Sequence, residues 1–122
     1  MPFTGDVRSL LRRVERIDGV LAACVVDPAT GTVLGGTEQR SEIAVPIVAA
    51  GATDLLQVLS LMTANLALGG EVEDAVITLT KHVHLLRTLP VGPDQGLLLV
   101  VTLDRPRTNL AMAQRELRDL SV

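Results

Sequence analysis

The chain has 122 residues, 48% of them hydrophobic, with a formal net charge of −3 and a mean hydropathy of +0.39. That length supports one hydrophobic core and a single domain spanning 1–122, and with one Phe and no Trp or Tyr the core is aliphatic. Eleven basic residues, all Arg except Lys81, are scattered along the sequence rather than gathered in a run, which argues against a nucleic-acid partner.

Val7, Leu10, Leu11, Val14 and Ile17 recur at helical spacing, with Arg8, Arg12, Arg13, Glu15 and Arg16 on the other side. They predict a short amphipathic first helix, with Thr4 or Asp6 as its cap and Gly19 in a left-handed conformation just past its end. The charged start MPFTGDVRSLLRRVER lacks the apolar stretch of a secretory signal, and the single Cys24 has no disulfide partner. A cytoplasmic protein is expected.

VLAACVVD (20–27) and TVLGG (32–36) are β-rich runs joined by Pro28-Ala29-Thr30-Gly31. Proline presets the first corner of a turn and glycine accepts the positive φ that closes it, so an antiparallel hairpin follows. Cys24, inside the first strand, reads as a buried small hydrophobe.

Positions 43–70 hold one formal charge, Asp54. The segment is long enough for a membrane span, but Pro46, Gly51, Gln57 and Asn65 interrupt it, and Asp54 would cost about 3 kcal/mol at a bilayer centre. No membrane insertion is expected. On a helical wheel, Val48, Ala52, Leu55, Leu59, Met62 and Leu66 form a stripe suited to a core. A second row, Ile47, Ala50, Asp54, Val58, Leu61, Asn65 and Leu68, lies about a quarter-turn away. The remaining face, with Thr53, Gln57, Ser60, Thr63, Ala64 and Ala67, is small, polar and uncharged. One sheet cannot cover both apolar rows, so the second predicts a protein contact.

DAVITLT (74–80), HLLRTLP (84–90) and GLLLVVTLD (96–104) read as three strands of a meander, the last a near-continuous apolar run suited to a strand covered on both faces. A closing helix is predicted from Asp104 or Arg105, with Pro106 in its first turn and Leu110, Ala113, Leu117 and Leu120 inward. The element order is α-β-β-α-β-β-β-α.

IDGVLAACVVDPATGTVLGG, the long uncharged helix, the meander and TNLAMAQRELRDL together resemble the roadblock/LC7 family over essentially the whole chain. The resemblance implies an α/β fold: a five-stranded antiparallel sheet in order 2-1-5-4-3, the long helix on one face and the terminal helices on the other. It also implies a homodimer in which long helices pack together and third strands join the two sheets. The expected dimer contacts are then Ile47, Ala50, Asp54, Val58, Leu61, Asn65, Leu68, Ala75, Ile77 and Leu79. Bacterial members of the family sit beside small Ras-like GTPases, among them the GTPase-activating partner of a gliding-motility GTPase and the roadblock components of actinomycete conservon operons. The Arg-rich, Lys-poor composition looks more like the latter. The role implied is a non-enzymatic homodimeric regulatory platform that binds a small Ras-like GTPase and modulates its nucleotide cycle, with Gln57, Ser60, Thr63, Ala64 and Ala67 as the partner-binding face. A structural adaptor tethering a sensor or cytoskeletal partner, or a small-molecule sensor, are the rival readings.

Chemistry of its own is hard to find. The phosphate-cradling G-x-x-x-x-G-K-[ST] pattern is missing, and LALGGEVED has acids where the lysine belongs. His82 and His84 share one side of a strand, but two imidazoles without a third ligand do not make a metal site. Glu71, Glu73 and Asp74 lack the alternation of a calcium loop. No catalytic, cofactor-binding or metal-binding residue is expected. Arg40 and Arg87 are the candidates for an arginine donated to a GTPase.

Overall fold

The computed structural model describes residues 3–37, 42–92 and 95–120. Helix α1 (Phe3–Glu15) is followed by the hairpin β1 (Val20–Asp27) and β2 (Thr32–Gly36), and then by α2 (Val45–Leu66). The meander β3 (Asp74–Thr78), β4 (His82–Gly92) and β5 (Gln95–Asp104) follows, and after a 3-10 turn (Arg105–Arg107) comes α3 (Leu110–Arg118). The five strands form one antiparallel sheet in order β2-β1-β5-β4-β3, as the resemblance implied.

Alternation along the strands divides the core into two layers. Leu99, Val101 and Leu103 of β5, with Val25 of β1 and Leu85 of β4, meet Val7, Leu10, Leu11 and Val14 of α1 and Ala113 and Leu117 of α3. Val100 and Leu98, with Cys24, Val26 and Leu86, face Ala49 and Ala52 of α2. β5 is thus buried on both faces, which is why its sequence is a continuous apolar run.

The β1–β2 turn is built as its residues demand. Asp27 Oδ1 accepts from the Ala29 N–H at 3.0 Å, and its carbonyl accepts from the N–H of Gly31, which has φ +77°. Gly19 (φ +92°) accepts a 2.7 Å hydrogen bond from the Asp104 N–H and lies against Thr108, where a side chain would collide with the threonine.

Four local expectations are corrected. α1 starts at Phe3, so Thr4 and Asp6 lie inside it rather than capping it. β3 is shorter and β4 longer than read: the Leu79 N–H donates to the His82 carbonyl at 2.8 Å, which closes a tight turn and draws His82 and Val83 into β4. The closing helix begins at Leu110, not Asp104. Pro106 is spent in the 3-10 turn, Thr108 is extended, and Asn109 caps α3 by accepting from the Met112 N–H at 3.2 Å.

The largest correction concerns the face that α2 gives to the sheet. Ala49, Ala52 and Thr53 are its buried residues, with Val48, Leu55 and Leu56 half-buried beside them. Met62 and Leu66, assigned to the core, are 52% and 57% exposed. The helix is rolled by roughly 80° from the expected orientation, taking 100° per residue. The physical reason is size: alanines let the helix axis come close to the sheet, and a stripe of Leu and Met would hold it off. Thr53, expected on the polar face, is buried with its hydroxyl satisfied, donating to the Ala49 carbonyl at 2.8 Å.

α2 ends on Ala67 in the left-handed region (φ 54°), before Gly69 and Gly70, which also have positive φ. An alanine there is strained by about 1 kcal/mol. Ala67→Gly is therefore expected to raise the unfolding free energy by about 0.5–1 kcal/mol in urea titrations, and Gly19→Ala to lower it by at least about 1 kcal/mol.

Candidate interaction surface

Rolling α2 onto its alanines turns the second apolar row outward. Ile47 is 74% and Leu61 62% exposed, and Ala50, Asp54, Val58, Asn65 and Leu68 are exposed with them. Of ten exposed large hydrophobics among the described residues, six belong to α2 or the residue pair beyond it: Ile47, Val58, Leu61, Met62, Leu66 and Leu68. Such concentration separates a contact surface from the scattered apolar exposure of any protein. By composition α2 is long and apolar enough to cross a bilayer, with hydropathy 1.6, but one side packs on the sheet and Asp54 interrupts the other.

The sheet has two edges, and they differ. On β2 the register with β1 shifts so that Val25 pairs with Gly35 and Val26 with Val33, leaving Leu34 as a bulge. A bulge twists an edge away from further pairing. β3 runs against β4 without a shift from Asp74↔Arg87 to Thr78↔Val83. The Thr88 N–H donates to Glu73 and the Leu79 N–H to His82, so odd-numbered residues bond to β4. The backbone groups of Asp74, Val76 and Thr78 point outward along a flat edge. Ala75 and Ile77 lie half-buried on the α2 side of the sheet, and Leu79 is exposed just past the strand end.

Gln57, Ser60, Ala64 and Ala67 are exposed and Thr63 is half-buried. Ser60, Thr63 and Ala64 are drawn together along a groove of about 390 Å³ whose other wall is Gly70–Val72 and Thr88. Gln57 stands outside this groove, and Ala67 is the α2 cap. Thr63 and Thr88 satisfy their hydroxyls on the carbonyls of Leu59 and Val72.

Of the two arginines considered as donors to a GTPase, Arg40 lies outside the described residues. Arg87 is turned inward on the α1/α3 side, its Nη1 3.5 Å from Asp74 Oδ2, the same oxygen that Arg118 Nη2 approaches at 3.6 Å. A guanidinium so tied makes a poor finger. The arrangement, invisible to spacing rules, clamps α3 to the edge strand.

His82 and His84 do share one side of β4, His82 lying in the strand rather than in the turn before it, and His84 Nδ1 lies 3.0 Å from the hydroxyl of buried Thr102. Burial, helped by the neighbouring His82, holds His84 below the ordinary histidine value of 6.5. Cys24 is buried, as expected, and desolvation pushes its thiol up to about 11.

No family model and no curated protein matches the chain. Solved structures do. It is similar to a roadblock/LC7 domain from Streptomyces avermitilis at 20% identity, covering 90% of this chain and 87% of that one with a TM-score of 0.74. Myxococcus xanthus MglB matches at 15% identity over 95% and 79% with a TM-score of 0.72. The gliding protein MglB of Thermus thermophilus matches at 12% over 95% and 85% with a TM-score of 0.73. The fold is therefore that of the roadblock/LC7 family, and the resemblance read from the sequence is borne out at that level.

Because burial lowers the pKa of His84 in the folded chain, the unfolded chain takes up its proton first as pH falls. Stability is expected to decline from near pH 6.5 down to the lower value of His84 itself, and a His84→Asn variant to lose that part of the slope in urea titrations at stepped pH.

Proposed function

We propose that the chain is a non-enzymatic, cytoplasmic regulatory platform that works as a homodimer and binds a small Ras-like GTPase, modulating its nucleotide cycle. The observation carrying this reading is the exposed apolar crest of α2 beside a flat, unpaired β3 edge. Pairing β3 with its twin, centred on Val76, would form about six backbone hydrogen bonds through the outward groups of Asp74, Val76 and Thr78. The same two-fold brings the α2 helices to one side of a ten-stranded sheet. Covering Ile47, Val58, Leu61 and Leu68 with Ala75, Ile77 and Leu79 contributes several kcal/mol, the scale needed against the entropy of association.

Self-association also agrees with MglB, one structure of which is described as having a tetrameric arrangement. The partner class comes from the resemblance to a family whose bacterial members accompany small GTPases. The uncharged face of α2, with Ser60, Thr63 and Ala64 along the groove and Gln57 and Ala67 beside it, is the face proposed for the GTPase.

Two measurements test the reading. In sedimentation across a concentration series the chain is expected to be dimeric, Leu61→Glu to be monomeric or aggregated, and Gln57→Glu to stay dimeric; a dimeric Leu61→Glu rejects the crest as the seam. Pull-down with a Ras-like GTPase in each nucleotide state is expected to show state-dependent retention, weakened by Gln57→Glu. Equal or no retention points instead to an adaptor without a GTPase.

A further inference from the structure

Basic residues that are scattered in sequence are gathered by the fold. Eight of the eleven lie in residues 1–20 and 105–122, the segments that form α1, the 3-10 turn and α3, against five acids there, for a net +3; residues 21–104 carry −6. α1 and α3 pack on the same side of the sheet, opposite α2. Part of this surplus is neutralised locally, Arg118 approaching Asp74 at 3.6 Å and Arg107 approaching Asp104 at 3.9 Å, while the four arginines of α1 and its end, with Arg105 and Arg115, form no ion pair among the described residues.

Along α1 and the residue just past it, the arrangement is costly for the isolated chain. Arg8, Arg12 and Arg16 stand at i, i+4 and i+8, all exposed with Arg13 beside them, and none forms an ion pair among the described residues. Like charges at that spacing repel. Among its described residues the layer also lacks what a protein interface needs. Its apolar residues Val7, Leu10, Val14 and Leu117 are turned into the core, and Met112 is the large hydrophobic left exposed on the described parts of these helices. Protein contacts are built around an apolar centre, which α2 has and which the described residues of this layer do not form.

We propose that the α1/α3 layer is a docking surface for an anionic lipid bilayer, met through arginine contacts with headgroup phosphates. Arginine presents a planar fork that suits phosphate oxygens, and no apolar centre or shape match is required of a charged membrane surface. The layer belongs to a single copy, so the inference goes beyond the dimer reading. Pairing about an axis normal to the sheet would place both copies' arginines on one side and leave α2 turned away from the lipid.

The test is co-sedimentation of the full chain with vesicles of phosphatidylcholine alone or containing phosphatidylglycerol, at low and high salt, with oligomeric state read separately on the same sample. Binding is expected on the anionic vesicles only, to be lost on raising salt, and to fall by roughly tenfold or more in an Arg12→Gln/Arg16→Gln variant. Arg115→Gln, on α3, provides a second weakening variant, and Lys81→Gln, outside the layer, is expected to bind as the parent does; circular dichroism confirms that each is folded. No binding at low salt, equal binding to neutral vesicles, or undiminished binding by both folded arginine variants would overturn the proposal. So would salt-dependent binding to polyglutamate without binding to vesicles, which would identify an acidic protein as the occupant.

Discussion

Burial of β5 on both faces is the constraint on which the rest of the structure depends. A central strand written Leu98-Leu99-Val100-Val101 needs cover above and below, and a five-stranded sheet supplies only its own plane. The cover comes in unequal portions. Two amphipathic helices, α1 and α3, turn apolar faces onto one side, while α2 alone serves the other and touches the sheet mainly through small residues. The unequal division leaves the molecule with two different outer surfaces.

Close approach through Ala49 and Ala52 has a consequence at the opposite side of the same helix. A helix seated on small residues buries little of its own circumference, so leucines and methionine along the rest remain in water. The second half of α2 has no buried residue at all. The apolar crest therefore follows from how the core is packed, and it lies on the same side of the sheet as Ala75 and Ile77 of the unblunted β3 edge. Continuity between a helix crest and an open strand edge favours one contact surface over two separate ones.

Asp74 shows how the layers communicate. Its carboxylate is shared by Arg87 of the neighbouring strand and Arg118 of α3, so the position of the C-terminal helix and that of the edge strand are linked through one charged group. Arg87 Nε is buried without a hydrogen-bond partner, which makes the Asp74 pairing the main compensation for its charge.

The sequence by itself determined the strand and helix order, the β1–β2 turn, the double cover of β5 and the surplus apolar surface of α2. Those features rest on period, on the φ demands of proline and glycine, and on composition, all of which act locally along the chain. It did not determine the roll of α2: Val48–Leu66 and Ala49–Ala52–Thr53 are both plausible inner stripes, and only contact with the strands decides between them, because the fit depends on how near the helix can approach. Nor could it show that arginines from the two ends of the chain share one layer, or that Arg87 is pinned by Asp74. Those facts depend on pairs of residues distant in sequence, and distance in sequence carries no information about charge in space until the sheet brings the ends together.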